Sequence, residues 1–363
     1  MHILYLTDRL SSRGGASNHL IEVISYASQQ AQVTVAAGDI QAPLPSHARS
    51  CRLRGLSAST MQTRGLSGLT DLMDAADVIH VQNVMNPWVL GAARDTGRAV
   101  ITVQDHRVFC PGPGKTMPDG QPCLQPMPKA ACEQCLSEPD YHTRMRDLTQ
   151  ARADAISGAK LVVLSQYMAN ELAAIGLPGA QIIPPPVTTA ARPSPAGEGF
   201  LVGGRLVHHK GIDLAADAWR QAQVDSELMV AGLGPMLDEV PDATHLGWLD
   251  GPQLKDALNR TRALIFPSRW QEPFGILAVE ALAQGTPVIA MVQGGMADWA
   301  DAGVLTIAPG DVQGMAEAIK TLHAQPDLAA QLGATGWQMV QERYTPAHIH
   351  TALWEIYTAT AQP

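Results

Sequence analysis

Short apolar runs alternate with longer segments of helical period along almost the whole chain. ILYLT at 3–7, QVTVAA at 32–37, VIHV at 78–81, AVITV at 99–103, LVVLS at 161–165 and QIIP at 181–184 form a first series. FLVGG at 200–204, LMVAG at 228–232, ALIFP at 263–267, PVIAM at 287–291 and VLTI at 304–307 form a second. These runs are β-branched and continuous rather than alternating, the pattern of strands buried on both faces of a parallel sheet. Repeated strand–helix alternation predicts α/β architecture with two Rossmann-like, doubly wound domains. Residues 183–199, IPPPVTTAARPSPAGEG, have no period and are dense in Pro, Gly and small residues, so they predict a linker. The first domain is expected over 1–185 and the second over 195–340. Over 346–361, Ile349, Leu353, Ile356 and Tyr357 recur at helical spacing and predict a terminal amphipathic helix. Two such domains facing each other across a cleft place a ligand at the carboxyl ends of their strands.

Composition narrows the class. With 363 residues, 46% hydrophobic and 16% charged, the chain is neither disordered, coiled-coil nor collagen-like. The net charge of −9 argues against a nucleic-acid partner. Residues 1–160 carry 15 Lys+Arg against 14 Asp+Glu, and residues 161–363 carry 10 against 20, so the acidity sits in the second half. The first apolar run, Ile3 to Leu6, is shorter than the roughly 7–15 residues of a signal peptide. No run nears the roughly 18 of a membrane span. A cytoplasmic protein with mostly reduced cysteines is the expectation.

Chemistry should follow the strands. After the first strand, Gly14 and Gly15 sit where a loop turns into a helix starting near Ala16, which suits an anion or merely a tight turn. In VGGRLVHHKGID, Arg205 and Lys210 lie five apart beside glycines and suit a diphosphate. In FPSRWQEPFGILAVEALAQGTPVIA, Glu272 precedes a helix starting near Phe274, and Glu280 lies two turns inside it, on or beside an apolar face. A carboxylate there needs a partner, and a ribose diol offers two donors.

These motifs resemble the retaining glycosyltransferases of family 4, which have the GT-B fold. Glu272 and Glu280 fill the two ends of the family's E-x7-E motif. VAGLGP, HLGWL and VQGGMADW follow the family's order, with the strongest likeness over 200–300. The resemblance implies retaining, metal-independent transfer from a nucleoside-diphosphate sugar to an acceptor hydroxyl. Glu280 would hold the ribose, Arg205 and Lys210 with Gly204 the diphosphate, and Leu246 and Trp248 the base. Glu272 and the backbone of Phe274, Gly275 and Ile276 would position the donor sugar and phosphate, with Gly14 and Gly15 near the diphosphate. The acceptor would bind the first domain as a glycoconjugate, polysaccharide or small glycoside. The absence of any D-x-D sequence agrees with a reaction that uses no catalytic metal.

The chain also departs from the family. Gln104 stands where members commonly carry the histidine of H-D-x4-C-P, so a residue that hydrogen-bonds but does not titrate takes that catalytic position. Gln82 stands where a second histidine is common, and His106 would point elsewhere. These changes support a competing expectation, a catalytically weak member that binds a sugar nucleotide as a partner or scaffold subunit. Cys110, Cys123, Cys132 and Cys135, spaced C-x12-C-x8-C-x2-C in a Pro/Gly-rich loop at 110–139, suit structural zinc or an iron–sulfur cluster. A metal-free loop or disulfides are the alternatives. Arg49, Arg52, Arg54 and Arg64 form a basic stretch that suits a lipid-linked acceptor or peripheral contact with the inner face of a membrane. A solvated loop accounts for it equally well.

Overall fold

A computed structural model describes residues 1–56, 66–127, 132–136, 138–193 and 197–362. The chain forms two compact units. One comprises Met1–Met117, Cys123–Pro186 and Ala347–Pro363, the other Pro118–Pro122 and Val187–Pro346.

The first unit is built on a parallel sheet of β1 (His2–Leu10), β2 (Gln32–Ile40), β3 (Ala48–Arg52), β4 (Val78–Gln82), β5 (Ala99–Val103), β6 (Lys160–Val163) and β7 (Gln181–Ile182). Their order is β3-β2-β1-β4-β5-β6-β7. The central strands are buried along nearly their full length, as continuous apolar runs require. Helices α1 (Gly15–Ala27), α2 (Leu69–Asp74), α3 (Pro87–Asp95), α4 (Pro139–Ile156) and α5 (Gln166–Ala174) connect the strands. Arg152 of α4 is fully buried and is satisfied by main-chain oxygens: Nε donates to Met85 O at 2.9 Å and Nη1 to Arg107 O at 3.2 Å.

The second unit carries a parallel sheet of β8 (Phe200–Gly203), β9 (Leu228–Ala231), β10 (Thr244–Gly247), β11 (Ala263–Phe266), β12 (Val288–Met291) and β13 (Val304–Ile307). Its order is β10-β9-β8-β11-β12-β13. Helices α6 (Ile212–Ala222), α7 (Gly251–Asn259), α8 (Ile276–Gln284), α9 (Val312–Ala324) and α10 (Pro326–Arg343) cover it. The start of the expected linker is packed on this unit. Val187 N–H donates to Tyr344 O at 2.8 Å, Ala190 N–H to Ala283 O at 2.9 Å, and Trp337 Nε1 to Ala190 O at 3.0 Å.

The last helix, α11 (Pro346–Ala361), belongs to the first unit. Ile349, Leu353, Ile356 and Tyr357 join a core cluster with Ile3, Tyr5, Leu20 and Val33. The Tyr357 hydroxyl meets His80 Nδ1 at 2.5 Å and Tyr5 Oη at 3.1 Å, and His80 Nε2 meets Thr102 Oγ1 at 2.8 Å. Burial lowers the His80 pKa to about 3, so this ring is neutral and binds as a hydrogen-bonding wedge.

Two strands were not expected from the sequence. β3 and β10 are edge strands, largely exposed and polar, so they lack the apolar runs by which the central strands are recognised. Part of the basic stretch therefore lies on a strand. Arg49 and Arg52 are on β3, and Arg52 Nη2 pairs with Asp39 Oδ1 at 2.9 Å. Arg54 is exposed and Arg64 lies outside the described residues. The first helix begins at Gly15 itself, with Gly14 as its N-cap at φ +99°.

Candidate functional site

In each sheet the strand order reverses once, between β1 and β4 and between β8 and β11. Loops leaving such neighbouring strands diverge, which opens a crevice at their carboxyl ends. In the second unit those two loops carry Arg205 with Lys210, and Glu272.

Lys210 ends a short 3-10 turn, and Gly211 follows in the left-handed region at φ +71°. A Cβ at Gly211 would stand 1.9 Å from Pro267 O, so the loop after β8 lies directly on the loop after β11. This approach brings the Lys210 ammonium to Glu272. The Nζ donates to Glu272 Oε1 at 2.5 Å, and Ser268 Oγ donates to the same oxygen at 2.8 Å. Lys210 also sits 5.0 Å from the centre of the Trp270 ring, within cation–π range. Glu272 is only 5% exposed, so its charge depends on these partners. Its main chain is fixed as well, because Glu272 O accepts from Gly295 N–H at 2.7 Å. Gly294, at φ +63°, lies so close that a Cβ would meet Glu272 O at 2.6 Å. Arg205, beyond Gly204, is exposed. His209 is held neutral, its pKa lowered to about 4 by burial and then by Lys210 and Arg205. The loop is therefore a fixed patch of positive charge.

α8 starts immediately after this cluster. Its first N–H groups, from Ile276 onward, lack partners within the helix and carry the positive end of its dipole. Gly275 caps it at φ +85°. Phe274 is buried, and its carbonyl accepts from Trp299 Nε1 at 2.6 Å, which pins the main chain at the entry to α8. Glu280 lies on the same helix. Burial pushes its carboxyl pKa up to about 7, with Lys255 opposing weakly and no hydrogen bond contributing. Leu246 and Trp248 are half-buried at the carboxyl end of the edge strand β10. The fold thus brings Arg205, Lys210, Glu272 and the α8 N-terminus to the carboxyl ends of neighbouring strands. Ser268 and Trp270, which orient Glu272 and Lys210, carry no signal in the sequence.

In the first unit, Gln104 follows β5 and is buried in a polar array. Its Oε1 accepts from Gln82 Nε2 at 3.0 Å and lies 3.4 Å from His19 Nδ1, while its Nε2 donates to Asn83 Oδ1. Burial lowers the His19 pKa to about 4, so that ring is neutral too. Asn83 adopts φ +64°, which turns its side chain back toward Gln104. His19 and Asn83 escaped notice in the sequence, since neither belongs to a motif and each reaches Gln104 only through the fold. His106 does point elsewhere, with Nε2 3.2 Å from Tyr167 Oη. Gly14 has open space where a Cβ would stand, at the N-terminus of α1.

Cys110, Cys123, Cys132 and Cys135 line one cavity of about 20 Å³ with Lys115, Phe109 and Met127. None of the four is in a disulfide, and among the described residues no three His, Cys, Asp or Glu side chains are already arranged to hold a metal ion. No helix among the described residues is long and apolar enough to cross a membrane.

The two doubly wound parallel sheets have the GT-B fold of glycosyltransferases. The sucrose-phosphate synthase of Thermosynechococcus elongatus matches 99% of this chain and 98% of its own at a TM-score of 0.71 and 20% identity. Anabaena Alr3699/HepE, solved in complex with UDP-glucose, matches 99% and 100% at a TM-score of 0.72 and 16% identity. Residues 196–339, most of the second unit, match the family described as Glycosyl transferases group 1. The Mycobacterium tuberculosis glycogen synthase is 30% identical over 185 residues, 47% of this chain and 44% of the relative. The match thus spans under half the length of that curated relative.

Proposed function

We propose that this chain is a retaining, metal-independent glycosyltransferase of family 4 that moves a sugar from a nucleoside diphosphate to an acceptor hydroxyl. The observation that carries the reading is the Lys210–Glu272 pair, seated with Arg205 beside the N-terminus of α8. Arg205, Lys210 and the helix N–H groups offer the donor's diphosphate preorganised positive charge where negative charge develops on departure. Fixed cations then do the work a divalent metal would do. Glu280 accepts from the ribose hydroxyls, Leu246 and Trp248 flank the base, and Glu272 orients the sugar and Lys210. The C1–oxygen bond to the β-phosphate breaks, the acceptor oxygen bonds C1 on the same face, and the acceptor proton passes to the departing phosphate. Glu272 is no nucleophile in this scheme, since its Oε1 is already occupied by Lys210 and Ser268. The UDP-glucose complex of the similarly folded Anabaena protein supports the donor class.

The competing reading, a weakly catalytic sugar-nucleotide-binding subunit, is favoured by Gln104, whose amide is committed to Gln82 and Asn83. Turnover decides between them. The chain is incubated with nucleoside-diphosphate hexoses and a panel of hydroxyl acceptors, and the product anomer is read by NMR. An axial donor giving an axial product supports the proposal. An inverted product overturns retention, and nucleotide binding without product over the whole panel supports the subunit reading.

A further inference from the structure

The loop that follows Gln104 holds four thiols which the transfer chemistry does not use. Cys110, Cys123, Cys132 and Cys135, all within one loop, face one small cavity, closed by Phe109, Thr116 and Pro126. Such a loop buries little apolar side chain. Leu124 is 82% exposed within it, so hydrophobic burial does not account for its shape.

Three features show an environment organised around sulfur. Cys110 Sγ accepts the backbone N–H of Lys115 at 3.3 Å, so the main chain of the loop turns back onto this sulfur. Gly112 lies between two of the cysteines. A Cβ there would crowd Cys135 Cβ at 3.2 Å and stand in contact with Cys135 Sγ at 3.8 Å and Cys110 Sγ at 3.9 Å, so glycine leaves room beside both sulfurs. Finally, the Lys115 side chain is 3% exposed, pairs with Glu171 at 3.0 Å and donates to Gln125 O. A lysine ammonium is rarely buried so completely; Glu171 supplies its counter-charge, and Lys115 lies on the wall of the cavity that the four cysteines line.

We propose that Cys110, Cys123, Cys132 and Cys135 bind one zinc ion as a structural tetrathiolate site. Four thiolates and Zn²⁺ carry a net charge of −2. Lys115, whose N–H reaches Cys110 Sγ, lies in the outer shell of that charge. The four cysteines line one cavity, and binding would draw their sulfurs in to the ~2.3 Å of a zinc–sulfur bond. Binding releases the thiol protons to solvent, leaves every oxidation state unchanged and takes the place of the missing apolar core. The ion fixes the loop onto the residues just after β5, where Cys110 N–H donates to His106 O at 2.7 Å. This inference does not depend on the donor reading.

The test uses the full chain, purified without a polyhistidine tag under reducing conditions and exposed to zinc sulfate before desalting. Elemental analysis should give about one zinc per chain. Replacing zinc with cobalt should give the intense visible absorption of tetrahedral cobalt–thiolate coordination. Cys132→Ser with Cys135→Ser should remove the bound metal, while Cys51→Ser should keep it. If the double variant fails to fold, the cobalt spectrum of the wild type still decides. Reduced wild type that retains no zinc and gives no cobalt–thiolate band overturns the proposal. So does iron with acid-labile sulfide in place of zinc, or a chain isolated with these cysteines already paired as disulfides.

Discussion

Lys210→Met separates what the Lys210–Glu272 pair does for stability from what it does for reaction. Glu272 is buried, and its Oε1 is shared between Lys210 Nζ at 2.5 Å and Ser268 Oγ at 2.8 Å. Methionine keeps most of the lysine's length and its packing on Trp270 but removes the cation. Stranding one member of a buried pair costs about 3–5 kcal/mol. Because the Ser268 bond survives and Lys210 is 17% exposed, the low end, about 3 kcal/mol, is expected. For a unit of this size that lowers the melting temperature by roughly 6–12 °C. Turnover should fall by about 100-fold or more, because the departing diphosphate loses a fixed cation. Adding Glu272→Gln removes the stranded charge, so the double variant should recover most of the stability and none of the turnover. Thermal unfolding of the four members of this cycle, with steady-state rates on one donor, reads both quantities. A single variant that melts within a degree of wild type and turns over within fivefold of it refutes the reasoning. A double variant that recovers turnover as well shows that Lys210 acts only through Glu272.

Four more outcomes are expected. The folded-state pKa of Glu280 is raised to about 7, so the folded state holds its proton more tightly than the unfolded chain. Stability should therefore fall as pH rises from about 4.5 to 7, by at most about 3 kcal/mol, and Glu280→Gln should flatten that slope. Nucleotide binding near pH 6.5 should release a proton from Glu280, which calorimetry in two buffers of different ionisation enthalpy detects; zero release excludes the ribose contact. Gly211→Ala places a methyl group 1.9 Å from Pro267 O at a left-handed position, so it should cost more than about 2 kcal/mol and displace Lys210. Wild-type melting and activity in that variant count against the loop contact. Tyr357→Phe removes the hydroxyl between His80 and Tyr5 and should cost about 1–3 kcal/mol in chemical denaturation; an unchanged midpoint rules out a stabilising role for that hydroxyl.

Much of this architecture is legible in the sequence because parallel strands buried on both faces must be continuous apolar runs. That rule exposes β1, β4, β5, β8, β11 and β12. It fails for β3 and β10, which lie at sheet edges with their side chains in water and carry residues such as Arg49 and Thr244. The cationic and acidic site residues stood out because Arg205, Lys210, Glu272 and Glu280 are charges set among glycines or apolar residues. Their supports did not. Ser268 and Trp270 are ordinary loop residues until the backbone approach at Gly211 sets Lys210 against them. His19, Gln82, Asn83 and Gln104 come together across two strand ends and a helix, a convergence no local pattern encodes. The four cysteines were legible as a spacing. The place of Gly112, the Lys115 N–H on Cys110 and the buried Lys115 side chain emerge only from the folded loop.

The central claim, that the second unit holds a nucleoside diphosphate through Glu280, is tested most directly by a thermal-shift panel of UDP, GDP, ADP, CDP and dTDP. Wild type is run beside Glu280→Ala. A nucleotide at about 100 times its dissociation constant stabilises the folded state by about 2.7 kcal/mol, a shift of several degrees. The account predicts that at least one of the five shifts the wild type and that the shift largely vanishes in the variant. A wild type that none of them moves, or a shift equal in both proteins, contradicts it.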